Sequence, residues 1–96
     1  MNYIQRIANA IREEVPDDVI PESGGDALFI MYAVLCLTKG ADVSRRDVHD
    51  AWSAWMILRG QRHESLVPYS DLPAQVQEED DPFVVAIRRV AQSELR

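Results

Sequence analysis

The residues best suited to chemistry in this chain are His49, His63, the thiol of Cys36, six serines and an acidic run at residues 78–81. Zinc sites and zinc hydrolases need ligands at spacings such as H-x-x-x-H or H-E-x-x-H, which put two imidazoles on one helix face. His49 and His63 are 14 positions apart on different expected elements, with no cysteine beside them. No serine stands in a G-x-S-x-G turn or has a base placed beside it, so no nucleophile is primed. The pair Gly24-Gly25 follows no strand and lacks the lysine of a phosphate loop, so it reads as loop punctuation. The acidic run lacks the alternating oxygen ligands and central glycine of a calcium loop. A solvated helix start, where negative charge suits the helix dipole, accounts for it more simply. Cys36 sits in the most apolar stretch and reads as a small buried hydrophobe. The expectation is a protein with no catalytic residues, no metal and no cofactor.

Aromatic and cationic side chains make a more informative set. Trp52 and Trp55 are three apart on one expected helix, with His49 a turn earlier and Arg59 a turn later. One reading is that the indoles are core. The other is that one ring is half exposed at a pocket rim and stacks on a base or other planar ligand. Arg59 and Arg62 would then answer an anion such as phosphate.

These side chains need elements to hold them. Ile4, Ile7, Ala8 and Ile11 recur at helical spacing and mark one face of a helix from about Tyr3 to Glu14, which Pro16 ends. Residues 16–25 hold two prolines and the glycine pair and form a linker, with Val19 and Ile20 tucked onto the core. Asp26 caps a second helix that runs to about Thr38, with Gly40 as its left-handed stop. Its 27–37 stretch is apolar on nearly every side and must be covered all round. Either it threads the centre of the domain or a second copy of the protein covers one side. Ser44 and Asp47 form a capping pattern for a third helix carrying Val48, Trp52, Trp55, Met56 and Leu58, closed by Gly60. A loop follows from Gln61 to Tyr69, then a short turn near Pro73. Asp81-Pro82 opens a last helix to about Leu95, with Phe83, Ile87, Val90 and Ala91 facing inward. No strand pattern or internal repeat is present. The expected fold is all-α, a compact single domain of about four to five helices, with an N-terminal helical pair over residues 1–40.

Ninety-six residues have room for one core, and 47% are apolar. Ten basic residues against sixteen acidic ones give a net charge of −6, a poor start for neutralising phosphates, so no nucleic-acid partner is expected. Residues 1–10 are polar and amphipathic, unlike a secretion signal. The 27–37 run reaches only about half of the roughly 20 residues a bilayer requires. No membrane association is expected, and the expected location is the cytoplasm.

The segment His49-Asp50-Ala51-Trp52, then His63-Glu64-Ser65-Leu66-Val67-Pro68-Tyr69-Ser70-Asp71-Leu72-Pro73 and Asp80, resembles the ryanodine-receptor repeat (RyR) domain. That pattern has an H-x-x-W helix, a histidine shortly before L-V-P-[FY]-x-x-L, and an aspartate opening the final helix. The resemblance covers about residues 48–90 and leaves residues 1–40 aside; the RyR-like segment with its flanks spans 44–95. The turn after the H-x-x-W helix is shortened here, and residues 77–81 replace a lysine, an aromatic and an arginine of the family pattern. The small size and arginine bias are also similar to those of actinobacterial phage proteins, for which the location would be the host cytoplasm. The RyR resemblance implies binding without catalysis, with nucleotide-derived ligands suggested for stand-alone relatives. Leu66, Val67 and Leu72 would pin the loop, Asp80 would accept backbone N–H groups or bond His63, and Tyr69 would present its hydroxyl at the rim. The expected ligand-binding set is therefore His49, Trp52, Arg59, Arg62, His63 and Tyr69. The alternative is a protein-interaction or homo-oligomeric module acting through the apolar 27–37 helix.

Overall fold

A computed structural model describes residues 1–95 and is all-helical. The first helix, α1 (Tyr3–Glu14), opens on a capping box in which Asn2 Oδ1 accepts the Gln5 N–H at 2.8 Å and Gln5 Oε1 accepts the Asn2 N–H at 3.2 Å. Ile7, Ala8 and Ile11 are buried, as their spacing predicts, and Ile4 is half-buried. The linker folds through a 3₁₀ turn at Asp17–Val19, and Val19 and Ile20 lie against the core.

The second helix, α2 (Gly25–Lys39), starts two residues earlier than expected, and Asp26 is not its cap. Gly24 holds the cap position with φ +73°, and its carbonyl accepts the Trp55 indole N–H at 2.9 Å. A Cβ at Gly24 would lie 3.2 Å from Arg59 Nε, so both the backbone angle and the close approach favour glycine. Asp26, inside the first turn, instead pairs with Arg12 at 2.7 Å, where its charge also suits the helix dipole. At the other end Gly40 has φ +56° and stops the helix as expected.

Coverage of α2 comes from α1, from α3 (Arg45–Leu58) and from α5 (Asp81–Glu94). Leu28, Phe29, Tyr32, Ala33 and Cys36 are buried, and Phe29, Tyr32 and Phe83 form an aromatic cluster with centroids 5.3–6.4 Å apart. Cys36 is sealed beside the Ile87 carbonyl, and burial pushes its thiol pKa up. Only Val34 and Leu37 remain as large exposed apolar side chains of α2. The helix therefore threads the centre of the domain.

The third helix begins on the expected capping box: Ser44 Oγ accepts the Asp47 N–H at 3.3 Å and Asp47 Oδ2 accepts the Ser44 N–H at 2.9 Å. Val48, Trp55 and Met56 are buried, whereas Leu58 in the last turn is 76% exposed. A 3₁₀ turn at Tyr69–Asp71 and the short α4 (Ala74–Glu78) connect α3 to α5. Asp80, not Asp81, takes the cap position of α5. Asp81 is thereby left free to bind the Arg45 guanidinium through two bonds of 2.6 and 2.8 Å, which hold its carboxyl below the usual range. Arg88 reaches back to donate twice to the Val43 carbonyl, at 3.1 and 2.8 Å.

Two substitutions separate capping from core packing. Ser44→Ala should lower the unfolding free energy by about 1 kcal/mol. Ile87→Ala, at a position with no exposed surface, should cost about 2–5 kcal/mol. Urea denaturation measures both, and equal losses would contradict this division.

Candidate ligand-binding site

Helical geometry decides which members of the His49–Trp52–Trp55–Arg59 ladder stay together. Residues three apart rotate by about 60° relative to one another, so a ladder at that spacing winds around the helix. His49 and Trp52 face the irregular segment after α3, with rings 5.7 Å apart and nearly parallel at 27°. Trp55 turns toward α2, is buried, and carries the Arg59 guanidinium on its ring at 4.2 Å. The ladder is thus two separate pairs.

His49 anchors the irregular segment. It is 3% exposed, and its Nε2 donates to the Val67 carbonyl at 2.7 Å. Because a carbonyl can only accept, Nε2 carries the proton. Gln77 Nε2 donates to the carbonyls of Tyr69 and Leu72 at 3.1 and 3.2 Å, and Leu72 is buried. His63 sets its ring edge-on to Trp52 at 5.3 Å and 89°, while its Nδ1 accepts the Ser65 N–H at 3.0 Å.

Between α3, this segment, the start of α5 and the linker lies a cleft of about 200 Å³. Its floor is made of Leu28 and Tyr32, each 1% exposed; Trp52, Phe83, Val76, Val19 and Pro21 wall it at intermediate depth, and His63 and Glu79 stand at the rim. Among expected site residues, His49, Trp52 and His63 line it. Tyr69 lies behind His49 at 6.3 Å with Arg46 over its ring at 5.4 Å, and belongs to a separate shallow groove with Arg45, Arg46 and Arg88. Arg59 and Arg62 do not line the cleft: Arg59 is held on Trp55, and Arg62 is exposed in the segment beyond it. The anion-binding role expected of them has no place in this cleft.

Asp80 contributes the cleft's most unusual atom. Its Oδ2 is sealed from solvent with no hydrogen-bond partner, and it neither caps α5 nor bonds His63. Burial pushes the Asp80 pKa up to about 6 against the opposing charge of His49; Glu79 and Asp81 add to the rise and Arg45 resists it. Burial, and then the charge of Asp80, push the Tyr32 phenol above its ordinary pKa, so it stays protonated. Tyr32, Phe83 and the linker residues were not expected at the site. Their only sequence signal was bulk and hydrophobicity, which core residues share.

A family model described as "Domain of unknown function (DUF7701)" matches residues 2–92. The chain belongs to this family. No curated protein and no solved structure matches the chain. The matched span includes every residue of the cleft, from Val19 to Phe83. Among the described residues, no three His, Cys, Asp or Glu side chains converge to hold a metal ion, and no helix is long and apolar enough to cross a membrane.

The raised Asp80 pKa makes the folded state bind a proton more tightly than the unfolded chain, whose carboxyl has the ordinary value of 3.8. Stability must therefore fall as pH rises from about 4 to about 6 on account of this group. Asp80→Asn removes that dependence. The stability of the variant relative to wild type should increase by about 1 kcal/mol between pH 4 and pH 7.5, a value discounted because Asp80 is only part-buried. Urea melts of both proteins across this range give the difference directly, and a difference that stays flat contradicts the assignment.

Proposed function

We propose that the protein is a non-catalytic binding module that holds the planar part of a nucleotide-derived small molecule in the cleft between α3 and the segment that follows it. The observation that carries this reading is Trp52, half-buried at a concave wall with its ring fixed by His49 on one side and His63 on another. Ring against ring is the contact by which proteins take up bases with little dependence on the rest of the ligand. The resemblance of the 49–73 segment to RyR domains supports binding over catalysis. So does Ser65, the serine on the wall, which meets His63 through its backbone N–H and not its hydroxyl.

Size limits what enters. Sites for drug-sized ligands usually occupy about 300–1,000 Å³, and this cleft offers about 200 Å³. A ring system fits, with sugar and phosphates remaining outside.

Association of copies through α2, the alternative reading, has Val34 and Leu37 as its exposed apolar surface, 44% and 41% exposed. A stable interface buries about 800 Å² on each partner, more than two half-exposed side chains supply. The cleft is the better-supported site.

Thermal-shift screening against nucleobases, nucleosides, mono- and dinucleotides and ADP-ribose derivatives tests the reading. A stabilising ligand is expected, and Trp52→Ala should weaken it by the worth of one stacked ring, about 1–3 kcal/mol, or roughly 5- to 150-fold. No shift with any of them at millimolar concentration would defeat the proposal.

A further inference from the structure

We infer that the cleft chooses its ligand by a hydrogen-bond donor edge, a ring N–H beside an exocyclic amino group as in guanine, presented to the Asp80 carboxylate. This rests on the binding reading above and specifies the chemistry of the same site.

The argument begins with an acceptor that lacks a donor. Asp80 Oδ2 is buried without a partner in a cleft walled mostly by rings and aliphatic side chains. A buried acceptor left unpaired bears the full cost of losing water, and an arriving donor recovers it. The charged donors nearby are committed elsewhere, and the Tyr32 hydroxyl on the cleft floor forms no hydrogen bond to Asp80 Oδ2. On α3, His49 gives its Nε2 proton to Val67, and Arg45 gives two N–H groups to Asp81. On the loop, the Nδ1 of His63 is occupied by the Ser65 N–H. With a pKa of about 6, Asp80 is ionised at neutral pH and can only accept.

Charge points the same way. The acidic groups lining the cleft are Asp80 and Glu79, and neither arginine nor lysine lines it. A phosphate would meet carboxylates there, so recognition must come from the ring. Guanine offers N1–H and its 2-amino group side by side, matching a carboxylate. Hypoxanthine keeps the ring N–H but lacks the amino group. Adenine sets its amino group beside a ring nitrogen lone pair, which a carboxylate repels. Sites built to pair a donor reject analogues lacking it, because the buried group is then left alone.

Isothermal titration at pH 7.5 with guanosine, inosine, adenosine and guanosine monophosphate tests the inference. Guanosine should bind at least tenfold tighter than inosine and tighter again than adenosine, and the monophosphate should bind no tighter than guanosine. Asp80→Asn replaces one acceptor oxygen with an NH₂ donor, so it should lose guanosine at least tenfold and gain affinity for adenosine, whose edge pairs with an amide. That exchange of preference is a gain that an unfolded variant cannot show. If the nucleosides bind wild type equally, Trp52→Ala weakens them and Asp80→Asn does not, the donor-edge inference is overturned while the binding reading stands. If no nucleoside binds at millimolar concentration, both are overturned.

Discussion

A helix with almost no polar face must be surrounded, and α2 imposes that requirement on a chain of 96 residues. Three other long helices are available, and α1, α3 and α5 all pack on it. The remaining side, near Leu28 and Tyr32, is closed by the linker and by the irregular chain between α3 and α5. Helices cover a neighbour with interdigitated side chains, but a loop must also satisfy its own backbone and cannot follow the surface as closely. The cleft lies where the covering changes from helix to loop. Its floor residues, four apart on α2, are core residues that the covering leaves in contact with a cavity.

The loop stays in place through a small number of polar contacts directed at its backbone. His49 bonds the Val67 carbonyl, and Gln77 bridges the carbonyls of Tyr69 and Leu72. Pro68 and Pro73 limit the conformations the segment loses on folding. His49 consequently has two structural functions, as a tether for the loop and as the surface on which Trp52 stacks. A ring already held by two neighbours needs no further ordering to keep its place in the cleft wall. The polar tether and the aromatic wall are thus one arrangement, and the fold of the loop sets the shape of the cleft.

Local signals in the sequence translated well into local structure. The spacing of Ile7, Ala8 and Ile11, the Ser44–Asp47 box and the positive φ of Gly40 and Gly60 each depend on residues within a turn or two of each other. Where expectation missed, a contact distant in sequence had decided the outcome. Asp26 had the side chain of a cap, but Gly24 was required at that position by the approach of Trp55 and Arg59. Asp81 looked like the start of α5 until Arg45, on another helix, claimed it. The four-membered ladder was legible as a pattern, yet its division into two pairs follows from which neighbour each face meets. Half of the expected site lines the cleft for that reason. Tyr32 and Phe83 were illegible as site residues because a cavity wall and a core use the same side chains.

Asp80 is where the local and global logic of this chain part. An apolar residue of similar size would remove an unpaired acceptor that costs about 1–3 kcal/mol, a sizeable fraction of the 5–15 kcal/mol that typically holds a domain together. Neither of its usual compensations is in place: at the cap position of α5 its side chain makes no cap bond, and the nearby guanidinium of Arg45 is bound to Asp81. In a consistently designed fold, positions that break a local rule without compensation inside the molecule are those expected to find it outside. The acceptor stands at the N-terminal end of α5 and lines the cleft together with Phe83 and Trp52. A carboxylate on the open surface would keep its water and discriminate weakly among donors. Sealed in the cleft, the same group would make the identity of a bound edge, under the proposal above, a matter of stability for the complex.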